Sequence, residues 1–141
     1  MQRIIIDTNV LVSALIQQSY PHYIIYDRVL NKQFQLCLSK ALLDEYRDVL
    51  FRPKFSRMSN FMSNAETILE RFEEIAVFYE PKIRLDIIKD KSDNKLLELA
   101  DECNAHFLIT GNSVDFSFSQ YKDTKILSPR SFWDYIGLVD N

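Results

Sequence analysis

Four places in this 141-residue chain put acids or amides where an active site would use them. Asp7 ends the apolar run Arg3-Ile4-Ile5-Ile6 and is followed by Thr8-Asn9. Glu45 lies one to two turns into a predicted helix. Asp90 and Asp93 flank Ser92, and Asn112 and Asp115 follow Thr110-Gly111. An unbroken β-branched run suits a strand covered on both faces. In open α/β sheets, ligands gather at the carboxyl ends of the strands. Asp7 therefore reads either as a metal or catalytic group or as the N-cap of the helix that follows.

Taken singly, each group has a plainer use. Glu45 fits a solvated helix residue. Asp90 and Asp93 fit helix caps or partners of a helix dipole, and Asn112 after Thr-Gly fits a turn. Their conjunction says more. Ends of adjacent parallel strands share one edge, where Asp7, Asp93 and the 112–115 loop are expected to meet. Carboxylates in one pocket repel, which raises their pKa values unless a cation is bound. Hard oxygen ligands favour Mg2+ or Mn2+, and such an ion positions and deprotonates water for attack at phosphorus.

The elements that must position these groups alternate. Strands are predicted at Arg3 to Ile6, Phe34 to Leu38, Val77 to Tyr79, Phe107 to Ile109 and Lys125 to Leu127. Helices are predicted at Val10 to Ile16, from Pro21 to about Leu30, and at Ala41 to Leu50 behind the N-cap Ser39. Further helices follow at Asn64 to Ala76, Asp93 to Cys103 and Ser128 to about Ile136. This order predicts an α/β fold, a three-layer α/β/α sandwich around a mostly parallel sheet.

Composition fits one ordinary globular domain over residues 1–141, with 47% apolar and 26% charged residues. Two glycines and four prolines argue against long linkers. No run approaches the ~20 apolar residues of a membrane span, so no membrane partner is expected. Cys37 and Cys103 lack CxxC spacing and read as reduced core thiols of a cytoplasmic protein. His22 and His106 stand far apart, and no HExxH, GxSxG, P-loop or GxGxxG occurs, which leaves acyl transfer, NTP hydrolysis and dinucleotide redox without support. The net charge of −3 neither announces nor excludes a nucleic-acid partner. Arg47, Arg52, Lys54 and Arg57 cluster against Asp48, most simply as a solvated face. Phe51, Phe55, Phe61 and Met62 either form an exposed face for a partner or self-association, or pack locally beneath the helix from Asn64.

Four segments in order resemble the PIN domain, the nuclease-like fold of many prokaryotic toxin–antitoxin toxins. They are Ile4-Ile5-Ile6-Asp7-Thr8-Asn9, Leu42-Leu43-Asp44-Glu45-Tyr46, Asp90-Lys91-Ser92-Asp93-Asn94-Lys95 and Phe107-Leu108-Ile109-Thr110-Gly111-Asn112. The ending Ile126-Leu127-Ser128-Pro129-Arg130 is similar too. The resemblance implies a metal-dependent ribonuclease with catalytic Asp7, Glu45 and Asp93. Asp7 and Asp93 would hold Mg2+ or Mn2+, with Asn112 and Asp115 as further ligands. Thr8, Asn9, Ser13 and Thr110 would orient carboxylates or waters, and Asp90 would flank them. Many family members carry Asp where Asn112 stands, so the amide leaves one charge fewer, and Asp115 would supply a carboxylate if its loop folds inward.

The leading expectation is hydrolysis of single-stranded RNA, with an antitoxin protein and a homodimer as further partners. The alternative is a weak or inactive PIN-like module that binds RNA or a protein partner. A phosphatase of the haloacid dehalogenase type would need an acid two residues after Asp7, where Asn9 stands.

Overall fold

The apolar runs Ile4-Ile5-Ile6, Leu36-Cys37-Leu38 and Phe107-Leu108-Ile109 form the centre of the sheet. The computed structural model describes residues 1–111 and 118–140. Six strands, β1 (Arg3–Ile6), β2 (Gln35–Leu38), β3 (Val77–Phe78), β4 (Phe107–Ile109), β5 (Gln120–Tyr121) and β6 (Thr124–Leu127), lie in the order β3-β2-β1-β4-β6-β5. All neighbours are parallel except β5 and β6. Ile4, Ile5 and Ile6 are fully buried, as expected for the central strand of a sheet covered on both faces.

Helices α1 (Thr8–Ile16), α2 (Tyr20–Tyr23), α3 (Lys40–Leu50), α4 (Phe61–Ile75), α5 (Lys91–Cys103) and α6 (Pro129–Asp140) complete the three-layer α/β/α architecture. Their starts follow from local chemistry. Ser39 accepts the Leu42 amide at 3.1 Å to open α3. Asp90 accepts the Ser92 and Asp93 amides at 2.8 and 3.4 Å to open α5, so the capping reading holds for Asp90.

The structure departs from the sequence expectations chiefly in two places, and decides a third that the sequence left open. Beyond Tyr23 the second helix widens into a π-helix over Ile24–Val29, where the Leu30 amide reaches back to Ile25. The wider turns bury Ile24, Ile25 and Val29 together, so packing overrides the ordinary helical period. The Gln120–Tyr121 strand is absent from the prediction because two residues carry no readable alternation. Phe55 and Phe61 are buried and stack on each other with centroids 4.5 Å apart, so the local packing reading holds for them, while Phe51 stays exposed. The nearby basic residues are surface groups in part paired, Arg47 with Glu73 and Arg52 with Asp48.

The polar residues with no catalytic reading have structural uses. His106 Nδ1 accepts the Arg3 amide at 2.9 Å. His22 hydrogen-bonds the Ala14 carbonyl and stacks on Tyr26. Cys37 and Cys103 are free and buried, as core thiols should be.

Candidate active site

Sheet register places the first acid. Ile6 on β1 pairs with Ile109 on β4, and the next residues out, Asp7 and Thr110, extend the ladder. The Asp7 amide donates to the Ile109 carbonyl at 2.9 Å, and the Thr110 amide to Leu127 at 3.0 Å. Both backbones are thus fixed one step past the strands. Their side chains meet there: the Thr110 hydroxyl donates to Asp7 Oδ2 at 2.7 Å. Asp7 does occupy the N-cap position of α1, but its side chain makes no capping hydrogen bond and turns to Thr110 instead.

The second acid arrives from the next strand over. β2 ends at Leu38, Ser39 turns the chain into α3, and Glu45 falls on the face that meets α1. There the Thr8 hydroxyl donates to Glu45 Oε2. The adjacent Tyr46 is fully buried and donates its hydroxyl to the carbonyl of Ile6, the residue before Asp7. Sequence reading missed Tyr46 as a site residue because a tyrosine on an apolar helix face looks like core alone. The only signal was its position directly after Glu45.

Electrostatics tie the pair together. Asp7 is 6% exposed, and its pKa is raised above 3.8. Burial is the main cause; the Thr110 hydroxyl opposes it, the Glu45 charge adds to it, and the Thr8 and Asn9 amides lower it. Tyr46 is held well above its ordinary pKa by burial, then by the charges of Asp7 and Glu45. It therefore stays a neutral donor across the physiological range.

Asp93 lies in the first turn of α5, buried at 5% exposure. That helix returns toward the start of β4, so its first turn stands at the carboxyl edge of the sheet. Glu45, Ser39, Ser92 and Lys95 line one small cleft of about 60 Å3, which brings α3 and the start of α5 to the same place. Asn9 and Ser13 line a second cleft of about 390 Å3 with Pro21, Gly111 and Pro129. Among the described residues, neither side chain hydrogen-bonds an acid of the site. Asn112 and Asp115 lie outside the described residues.

The side chains gathered around Asp7 and Glu45 offer oxygen donors, the set preferred by Mg2+ or Mn2+ over softer metals. The groups that lower the Asp7 pKa are a hydroxyl and two amides, none of them a cation, which leaves negative charge for an ion to neutralise. Among the described residues no three of Asp, Glu, His and Cys are close enough to enclose a metal alone. Mg2+ needs only one or two carboxylates because it keeps several waters, so the donors fit such an ion.

The fold agrees with comparisons to known proteins. The family model for the PIN domain matches residues 3–113. The chain is 28% identical over 110 residues to the uncharacterized protein MJ1680 of Methanocaldococcus jannaschii, covering 78% of this chain and 70% of that one. This chain belongs to the PIN domain family. PIN domains are generally nucleases, so the family implies a hydrolase acting on nucleic acid. No helix among the described residues is long and apolar enough to cross a membrane.

Proposed function

We propose that this chain is a metal-dependent endoribonuclease that hydrolyses phosphodiester bonds of single-stranded RNA, as the toxin of a toxin–antitoxin pair. The observation that carries the reading is the buried Asp7 carboxylate, its pKa raised partly by Glu45, at the carboxyl edge of the central strand. Asp7 and Asp93 hold Mg2+ or Mn2+, which when bound supplies positive charge to activate water and to stabilise the leaving oxygen. Thr110 fixes the Asp7 carboxylate, and Thr8 fixes Glu45. Glu45 accepts the proton of the attacking water or completes the ligand set. Tyr46 anchors the last strand residue before Asp7, Ile6, through its carbonyl. Asp90 caps the helix that carries Asp93, Asn9 and Ser13 orient waters beside the acids, and Asn112 and Asp115 supply further oxygens.

The toxin role, an antitoxin partner and a homodimer rest on the resemblance of the motifs, including Ile126-Leu127-Ser128-Pro129-Arg130. A cytoplasmic location is supported by the two free, buried thiols. The deciding experiment is cleavage of a short fluorescent single-stranded RNA in Mn2+, run beside EDTA and Asp93→Asn. Cleavage lost in both controls is the expected result; cleavage that persists in EDTA sinks the metal assignment.

A second reading is a PIN-like module that binds without cutting. It is favoured by the amide at Asn112 and by the want of three close acids among the described residues. Mn2+ uptake separates the two, because a binding-only module has no need of the ion.

A further inference from the structure

A cleft of about 850 Å3 lies beside the acidic edge, larger than either cleft at the edge itself. It is bounded by the first turns of α3 and α5 and by the strap 79–90, which joins β3 to α5. Side chains of α5 hang the strap in place. Glu98 accepts the Leu85 amide at 2.9 Å, Asn94 accepts the Ile87 and Ile88 amides at 3.0 and 2.9 Å, and Glu102 accepts the Lys82 amide at 3.2 Å. A segment without a sheet partner needs such acceptors. These bonds also hold the Glu98 carboxylate, which lines the cleft, against the strap and near Arg84.

The two walls differ. Lys40, Lys91 and Lys95 line the helical side. Lys40 pairs with Asp44 at 2.8 Å, whereas Lys91 and Lys95 form no ion pair among the described residues. Phe78, Tyr79 and Arg84 line the strap side, together with the acids Glu80 and Asp86. Arg84 is within 3.9 Å of Glu98 and donates to the Pro81 and Ile83 carbonyls. The Phe78 side of the edge strand is open: the residue is 46% exposed, and among the described residues its ring meets no other aromatic. Ser39, Ala41 and Lys95 line both this cleft and the small one that contains Glu45, so the two share a wall.

We propose that this cleft seats a short run of single-stranded RNA beside the scissile phosphodiester, with Lys91 and Lys95 on its phosphates and the Phe78 ring stacked on a base. The proposal rests on the ribonuclease reading above and adds where the substrate lies. Two observations choose RNA over a protein segment. Of the unpaired lysines, Lys95 stands on the wall shared with the small cleft that contains Glu45, where an anionic backbone must pass to be cut, and Lys91 lies one helical turn before it on α5. The exposed Phe78 ring lines the same cleft, and an aromatic platform in a groove that also carries cations is the arrangement that holds single strands, since every base has a π-face. The volume lies within the ~300–1,000 Å3 of ordinary ligand sites.

The test measures binding without cleavage. The full chain carrying Asp7→Asn, in EDTA, is titrated into a fluorescent ten-nucleotide single-stranded RNA and followed by anisotropy. Adding Phe78→Ala should weaken binding by about 5- to 100-fold, and Phe78→Tyr should restore it. Adding Lys95→Ala should lower the slope of log affinity against log salt by about 0.7, while Arg71→Ala on α4 should change neither. Circular dichroism melts confirm that each variant is folded. Binding unaffected by Phe78→Ala and Lys95→Ala overturns the cleft as the RNA seat, and so does a parent that binds no RNA. Neither result touches the nuclease reading, which stands or falls on cleavage by the wild-type chain in Mn2+.

Discussion

At the scale of residues, Asp7 is the group with the most to tell. Folding raises its pKa above 3.8, so as pH rises the unfolded chain releases this proton first. The native state then binds more protons than the unfolded one, and stability falls as pH climbs from 3.8 through the raised value. Asp7→Asn should therefore raise the melting temperature of the metal-free protein at pH 7, and the gain should disappear when pH is taken below 3.8. Thermal melts at the two pH values check this, and the same variant should abolish RNA cleavage. A variant that loses stability at pH 7 would contradict the electrostatic account. Thr110→Val keeps the shape but removes the hydroxyl from Asp7 Oδ2. Loss of such a supporting group typically costs about 10- to 100-fold in metal affinity or activity. Mn2+ titration followed by cleavage rates would measure both, and rates equal to wild type would remove Thr110 from the site.

At the scale of elements, the strap 79–90 and α4 show two ways of holding a piece of chain. The strap depends on hydrogen bonds to α5 side chains, most of them to the buried Asn94 amide. Asn94 accepts two backbone amides and donates to the Ile88 and Asp90 carbonyls. Asn94→Ala strands those groups, and each buried polar group left unpaired costs about 1–3 kcal/mol. Urea denaturation should show that loss, and hydrogen exchange should quicken at Ile87 and Ile88 before it does in the sheet. Helix α4 depends on packing instead. Phe61 is 1% exposed and stacks on Phe55. Phe61→Ala should cost about 3–5 kcal/mol in the same urea measurement, as phenylalanine truncations in cores do. These elements also mark where the sequence was readable. Strands β1, β2, β4 and β6 and helices α3 and α5 announce themselves by apolar runs or helical spacing behind a cap. The π-helical turns and the short β5 do not, because their conformation depends on what packs against them.

At the scale of the whole molecule, the parallel topology turns separate motifs into one edge. Residues as distant in sequence as Asp7, Glu45 and Thr110 meet because β1, β2 and β4 lie side by side with their carboxyl ends together. A divalent ion bound there would favour the native state, since the unfolded chain does not assemble the site. Mn2+ should therefore raise the melting temperature at pH 7 and have little effect below pH 3.8, where protons compete for Asp7. An increase that survives both acid and Asp7→Asn would place the ion elsewhere.

The acidic edge was partly legible before the structure. An apolar run ending on Asp7 and helix starts at Ser39 and Asp90 are local patterns, and local patterns are set by side-chain chemistry and backbone preference. They determined the α/β class and the order of most elements, and they marked Asp7, Glu45 and Asp93 as candidates. Tertiary structure decided the rest. It alone set the register that puts Thr110 against Asp7, the burial that raises the Asp7 pKa, the approach of Tyr46 to Ile6, and the cleft walled by Lys95 and Phe78. Each of these depends on a distance between residues far apart along the chain. Such distances are fixed by how sheet and helices pack, which no local pattern encodes.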